Sequence, residues 1–187
     1  MFKTFLVVCV ISADTILNTG NAVQDFYWRD YAHGIIPDDA FEGKPGIYIG
    51  QAYFKNGGLL PAAIYPYTNA AVAIYDTRRE IKEHIKILCS RDRRKFYWEA
   101  INFTNNNEGD LANAVVGGFQ HEQNLLIGVA KHDGKWKIGK VKPDGKTDAK
   151  GLFVWTEEGK HLRLVDCFLL KYNQTASVDY IFDVRSS

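Results

Sequence analysis

The side chains able to do chemistry in this sequence are five histidines, a few adjacent acids, a run of lysines and a heavy load of aromatics. His33, His84, His121, His132 and His161 stand apart from one another, and no His-Glu-x-x-His motif occurs, so no local zinc-binding pattern is present. Asp38-Asp39 and Glu157-Glu158 are adjacent pairs. On a strand, neighbours point to opposite faces, so neither pair can act as a general acid and base on one substrate. The chain has no G-x-S-x-G elbow, no phosphate-cradling G-x-x-x-x-G-K-[ST] loop and no G-x-G-x-x-G turn. An enzyme is therefore not expected, and no cofactor is expected.

What remains is hydrogen bonding and ring stacking. Lysines recur at 131, 135, 137, 140, 142, 146 and 150. Lys135 and Lys137 flank Trp136 at strand spacing and so share one face, which reads as a solvent-facing surface more readily than as a ligand site. Tyr27, Trp28, Tyr97 and Trp98 could be stacking platforms, but aromatics repeated at equivalent positions usually pack a core. Tyr31, Tyr53, Tyr65, Tyr67 and Trp136 sit near turns and are better stacking candidates. The basic run RDRRK (91–95) could touch acidic glycans or phosphates; it reads more simply as a solvated linker.

The bulk of the chain sets limits. It has 187 residues, 46% of them hydrophobic and 13% aromatic, enough to build a real core, and a net charge of +1. A nearly neutral chain has no global field to hold nucleic acid or an anionic membrane. Residues 1–22 read as a secretory signal peptide: Lys3, an apolar run from Phe5 to Ile11, then small residues in GNA before a cut after Ala22. The apolar run is too short for a membrane span, and no other long apolar stretch exists, so the mature chain is expected to be soluble, secreted and extracellular. Cys9 leaves with the signal. Cys89 and Cys167 then remain, and an oxidising compartment suggests one disulfide between them, the alternative being two buried thiols. Asn102 and Asn173 each begin an N-x-Thr sequon and are candidate glycosylation sites.

The elements that would position any site come in two copies. FYW at 26–28 returns at 96–98, IYIGQA at 47–52 matches LLIGVA at 125–130, and GGLLPAAIYP at 57–66 matches GKWKIGKVKP at 134–143. KEH at 82–84 resembles GKH at 159–161. The offset grows by eight, most simply through an insertion in NFTNNNEGDL (102–111). The first repeat then covers 23–95, with SRDRRK (90–95) as a short linker, and the second covers 96–187. IYIGQAYF, LLIGVAKH, AAVAIYD and GLFVWTE are rich in β-branched and aromatic residues between turn residues, which is a strand signature. TRREIKEHIKIL (77–88) carries Ile81, Ile85 and Leu88 at helical spacing, but its partner segment is strand-like, so both are read as strands. The expected fold is all-β: two tandem repeats in one pseudo-twofold antiparallel sandwich or barrel-like domain, which could bring Cys89 and Cys167 together.

One family carries this set of landmarks in this order. The first copy reads Trp28, Gly34, Ile36-Pro37, Ala40, Ile49-Gly50-x-Ala52, Leu60-Pro61 and Lys82-Glu83-His84. The second reads Trp98, Ala114-Val115-Val116-Gly117-Gly118, Ile127-Gly128-x-Ala130, Ile138-Gly139-Lys140 and Lys160-His161. Over residues 26–172 the chain resembles the DM-nine repeat family. The resemblance implies a β-rich tandem repeat and lectin activity, often toward mannose, as in pathogen-responsive invertebrate proteins. Some members are the recognition half of pore-forming venom toxins; no pore-forming half is present here. Each copy of a lectin-active member can supply an acid after the first glycine turn and a lysine in a P-G-K step, a carboxylate to accept from vicinal hydroxyls and an ammonium to donate to them. Carried over, the acid position of copy one is Glu42 and its lysine position is Ala63. In copy two the lysine position is Lys140, and the acid position is Gln120 with one residue deleted, or Phe119 without the gap. Glu42, Gln120 and Lys140 are thus the expected carbohydrate-binding residues, one composite set split across the copies. The expected partner is a mannose-containing glycan such as a microbial surface displays, in innate defence or in a fluid such as saliva or venom. Multivalency would come from a homodimer or from the two copies. The competing reading is a protein-interaction or structural module whose sugar sites have degenerated.

Overall fold

A computed structural model describes residues 25–105, 108–144 and 150–175; the expected signal peptide lies outside them. Fourteen strands follow in chain order. The first seven are β1 (Phe26–Asp30), β2 (Glu42–Lys44), β3 (Ile47–Phe54), β4 (Gly58–Ile64), β5 (Ala71–Ile74), β6 (Arg78–Ile81) and β7 (Ile85–Ser90). The second seven are β8 (Phe96–Asn102), β9 (Val116–Gln120), β10 (Gln123–His132), β11 (Lys135–Lys142), β12 (Gly151–Trp155), β13 (His161–Leu164) and β14 (Asp166–Tyr172). Every strand pairing is antiparallel, all strands join one sheet, and no α-helix occurs among the described residues.

The two sets of seven pair alike. In the first, β1–β7–β3–β4–β5–β6 is the path and β2 also pairs β3; in the second, β8–β14–β10–β11–β12–β13 is the path and β9 also pairs β10. The match extends to single bonds. Phe41 N donates to Leu88 O as Val115 N donates to Leu170 O, and Ser90 N to Asp39 O as Tyr172 N to Asn113 O. Thr77 and Lys160, which occupy equivalent places after β5 and β12, bridge each other, so a pseudo-twofold axis passes near them.

The core follows the same symmetry. A central cluster takes Ile49, Ile74 and Leu88 from the first repeat and Ile127, Trp155 and Leu170 from the second, with Phe26, Trp28 and Trp98 packed against it. Two outer clusters flank it, one drawn from the first repeat together with Leu125 of the second, the other from the second repeat alone. One holds Ala52, Ile64 and Ile87 of the first repeat, the other Leu126, Val141 and Leu169 of the second. The central strands are therefore covered on both faces. This is why IYIGQA and LLIGVA read as continuous apolar runs rather than alternating ones. The doubled FYW belongs to this architecture: Phe26 and Phe96 meet at 5.3 Å between ring centroids. Close approach of backbones accounts for part of the glycine content. A Cβ on Gly118 would lie 2.2 Å from Leu59 O, where β9 reaches across to β4 of the other repeat.

Four sequence expectations are corrected or refined. The helically spaced stretch 77–88 is broken by a turn in which His84 takes φ 53°, so it forms β6 and β7. KEH (82–84) is not the counterpart of GKH (159–161): the first follows β6, whereas the second leads into β13. The eight-residue growth is not one insertion. Phe41 O receives Ile49 N and Val115 O receives Ile127 N, so four residues enter before β9 and four more lengthen the β9–β10 hairpin. Finally, Cys89 and Cys167 are both free and buried, in separate outer clusters. Trp28 pairs Leu88 and Trp98 pairs Leu170, which makes Lys171 the counterpart of Cys89 and Ile85 the counterpart of Cys167. The axis that was expected to bring them together separates them. Burial pushes the Cys89 thiol up to about 11 and the Cys167 thiol up to about 12, so neither is an activated thiolate.

Candidate functional site

Lys140 lies on β11, opposite Ile127 of β10 and Phe153 of β12. Its residue is 2% exposed, in a place where its counterpart across the axis is Ala63, itself opposite Ile49 and Val72. A buried ammonium must find acceptors. Lys140 Nζ donates to Gln120 Oε1 at 2.7 Å and to Tyr75 O at 3.2 Å, and it stands 5.6 Å from the Tyr75 ring centroid. Gln120, 4% exposed, is delivered by the extended β9–β10 hairpin. Tyr75 comes from the other repeat, at the end of β5.

These groups border a cleft of about 480 Å³ that also takes in Asp76, His121, Lys142, Phe153 and His161. Its mouth is polar. Asp76 is held by Arg79 at 2.6 Å, and that hydrogen bond keeps its carboxyl below the usual aspartate range, so Asp76 is an ionised acceptor. His161 Nδ1 lies 3.1 Å from Asp76 O; a carbonyl can only accept, so Nδ1 carries the proton. Lys142 stacks over Phe153 at 5.2 Å. His121 is placed by a two-residue turn in which His121 and Glu122 take φ 49° and 60°. Two non-glycine residues in the left-handed region store strain, of about 1–3 kcal/mol each.

The three residues singled out from the sequence part company here. Gln120 and Lys140 meet. Glu42 does not border the cleft: it is exposed on β2, and its Oε1 accepts from Gly46 N at 2.6 Å, closing its own hairpin. Nor is Glu42 the counterpart of Gln120. Glu42 pairs Tyr48 and Val116 pairs Leu126, so Val116 holds that place, and Gln120 belongs to the hairpin extension that copy one lacks. The carboxylate of the cleft is Asp76, which sequence reasoning passed over, because it sits in the β5–β6 turn of the opposite repeat. The pairing of Thr77 with Lys160 is what brings that turn to Lys140, and no local motif announces it.

Other singled-out residues have structural tasks. The basic run is engaged by nearby groups: Lys95 bonds Asp25 at 2.5 Å, Arg94 bonds Asp92 at 2.9 Å, and Arg93 reaches Asp38 O. Trp98 Nε1 donates to Gly43 O at 3.0 Å. Lys44 stands among three rings, 4.4 Å from Trp136, 5.3 Å from Trp98 and 5.7 Å from Phe168, and burial lowers its affinity for the proton. The sequon residues Asn102 and Asn173 are exposed; Asn102 Nδ2 donates to Asp166 at 2.6 Å, and Asn173 Oδ1 accepts from Thr175. Among the described residues, no group of three or more His, Cys, Asp or Glu is arranged to hold a metal, and no helix is long and apolar enough to cross a membrane.

Comparison with known protein families matches the DM9 repeat over residues 41–149, more than half of the chain. No curated protein matches the sequence. Among solved structures, the crystal structure of the nematode sperm cell motility protein MFP2B is similar at 16% identity and a TM-score of 0.49, covering 82% of this chain and 47% of that one. The chain therefore spans just under half the length of that protein's chain.

Proposed function

The chain belongs to the DM9 repeat family, and we propose that it is a non-enzymatic, secreted glycan-binding protein that holds a mannose-type sugar in the cleft around Lys140. The observation that carries this reading is the buried Lys140 ammonium, fixed by Gln120 and Tyr75 in a cleft that an ionised Asp76 also borders. A donor and an acceptor of opposite charge that border one cleft suit the hydroxyls of a sugar: the carboxylate accepts while the ammonium and the Gln120 amide donate. Tyr75 and Phe153 provide ring faces for the apolar side of a sugar. Both repeats contribute, so the site exists only in the tandem arrangement. A single shallow site of this kind binds weakly, and a homodimer or a multivalent surface would raise the avidity. The fitting setting is extracellular, in defence against microbes bearing mannose-rich glycans or in a secreted fluid, with Asn102 and Asn173 as sites for the chain's own glycans.

The test is retention of the purified chain on mannan and on a small glycan panel, with Lys140→Met and Asp76→Asn run alongside. Retention competed by free sugar and lost in both variants is the expected result. Retention indifferent to both variants would remove the site from this cleft. A second reading, a protein-interaction module, is favoured by Ile35 and Tyr67, 70% and 98% exposed on loops that approach each other at Gly34. It becomes the better account if no glycan retains the chain.

A further inference from the structure

Three aromatic rings of the second repeat converge on one cation of the first. Trp98 of β8, Trp136 of β11 and Phe168 of β14 stand 5.3, 4.4 and 5.7 Å from the ammonium of Lys44, which enters from β2. The rings are held without help from that ammonium: Trp136 and Phe168 meet edge to face at 6.4 Å, and Trp98 Nε1 donates to Gly43 O at 3.0 Å. Among the described residues, no hydrogen bond or ion pair engages Lys44 Nζ. The cage is not a property of the repeat. The first repeat has Trp28, Leu59 and Lys86 at the three equivalent places, so only one cage exists among the described residues. Two of its rings, Trp136 and Phe168, also border an apolar cleft of about 440 Å³ with Ala100, Ile101 and Ala130, and Phe168 is 38% exposed. Lys131 and Asp166, both exposed, border the same cleft with opposite charges and give it no net field. Lys44 has a way out. It ends β2, and the Pro45-Gly46 turn that follows is exposed, with open space around Gly46. Its flexible stem lets the ammonium turn to water.

We propose that the cage of Trp98, Trp136 and Phe168 binds a quaternary ammonium group carrying a short apolar chain, and that Lys44 is the built-in cation such a ligand displaces. The chemistry selects the class. Ring faces are negative and attract a cation, and they repel an anion. A primary ammonium brings three N–H donors into a place that offers them no acceptor, and a guanidinium brings five. A quaternary ammonium has no N–H to leave unpaired. It also cannot shed its charge, whereas burial already lowers the hold of Lys44 on its proton. The cleft that shares Trp136 and Phe168 receives the chain, whose methylenes leave water against Ile101 and Ala130. Lys44, once displaced, regains its hydration at the exposed turn. None of these residues borders the Lys140 cleft, so the inference does not rest on the sugar reading.

The test follows tryptophan fluorescence, since two of the three rings are reporters. The purified chain is made without N-glycans, because Asn102 borders the cleft. It is titrated with tetramethylammonium, choline and hexyltrimethylammonium. Sodium chloride at matched ionic strength is one control. The neutral analogue of choline, with a tert-butyl group in place of the trimethylammonium, is the other. The expected result is a saturable change with hexyltrimethylammonium, about tenfold tighter than with tetramethylammonium because its chain enters the cleft. Neither control should saturate. Lys44→Ala removes the competitor and should tighten binding about fivefold. Phe168→Leu keeps the cleft apolar but removes a ring face, and should weaken binding about fivefold. Far-UV circular dichroism checks that both variants keep the fold. Co-sedimentation with phosphatidylcholine vesicles, against phosphatidylglycerol vesicles, identifies the source of the group. Capture by phosphatidylcholine that hexyltrimethylammonium competes supports the site with a lipid headgroup as its ligand. Soluble binding without capture supports it with a free small molecule. No saturable response to any of the three ions in either the natural chain or Lys44→Ala overturns the proposal. So does an equal response to the neutral analogue, binding unchanged in Phe168→Leu, or binding that Lys44→Ala leaves unchanged or weakens.

Discussion

Two clefts of this molecule occupy equivalent places on one scaffold and are built differently: one surrounds Lys140, and the other is bordered by Tyr65, Arg78, Lys137 and Glu157. Around Lys140 the ammonium comes from the symmetric lysine position, and its acceptor comes from a hairpin four residues longer than its counterpart. Across the axis, Ala63 fills the lysine position, the hairpin is short, and Lys137 enters from a neighbouring strand position. The junctions between repeats differ in the same manner. Gly118 of β9 lies against Leu59 of β4; their counterparts, Lys44 and Trp136, meet by stacking instead. The difference teaches that the strand framework is held in common by core packing, whereas the residues at its mouths are free to diverge.

The largest effect expected from breaking this comparison is at Ala63. Ala63→Lys puts an ammonium in the central core without a counterpart of Gln120, and an uncompensated buried charge costs about 3–5 kcal/mol. Urea denaturation reads the loss; a loss under about 1 kcal/mol would mean that copy one retains acceptors for it. The junctions come next. Gly118→Ala drives a methyl against Leu59 O and should cost about 2 kcal/mol by overpacking. Lys44→Ala, at the equivalent junction, removes only a cation from its rings and should cost about 1 kcal/mol. Equal costs would contradict the difference between the junctions.

These contrasts also mark what the sequence could disclose. The repeat, the strands and the doubled FYW were legible because core packing demands similar residues at similar spacing in both copies. That Lys140 and Gln120 stand near each other was legible, although Gln120 comes from a hairpin extension that the first copy lacks. Asp76 and His161 were not, because they reach the cleft through a contact between repeats at the axis, which leaves no local pattern. The insertion was misplaced because its two halves, each of four residues, add up to the same offset beyond them. The cysteines misled because the compartment argument says nothing of geometry: Cys167 stands where the other repeat has Ile85, and Cys89 stands where the other repeat has Lys171.

A smaller effect is expected at the strained turn. Replacing His121-Glu122 by Asn-Gly supplies residues suited to the left-handed backbone and should raise stability by about 1 kcal/mol. It should also weaken sugar retention, because His121 borders the first cleft. Stabilisation with unchanged retention would make the strain incidental. The smallest effect is in acid. Asp76 is depressed by its bond to Arg79, Asp25 by its bond to Lys95 and Glu157 by its bond to Lys135. Folded-state values below the unfolded ones mean that their stability is present above the ordinary carboxylate range and is lost as pH falls through the lower folded values. Thermal unfolding should therefore be flat from neutrality down to about pH 5 and decline below about pH 4. The Asp76–Arg79 and Glu157–Lys135 pairs are solvent-exposed and the Asp25–Lys95 pair is half-buried, so the decline should be gentle and reduced by salt.

The most direct test of a sugar site in the first cleft is a ¹H–¹⁵N correlation spectrum of the labelled chain titrated with methyl α-D-mannopyranoside or a mannan oligosaccharide. The account expects saturable shifts at the Gln120 side-chain amide and at the backbone amides of Asp76, His121 and His161. A spectrum unchanged at those four residues, or shifts confined to the loops that carry Ile35 and Tyr67, would contradict it.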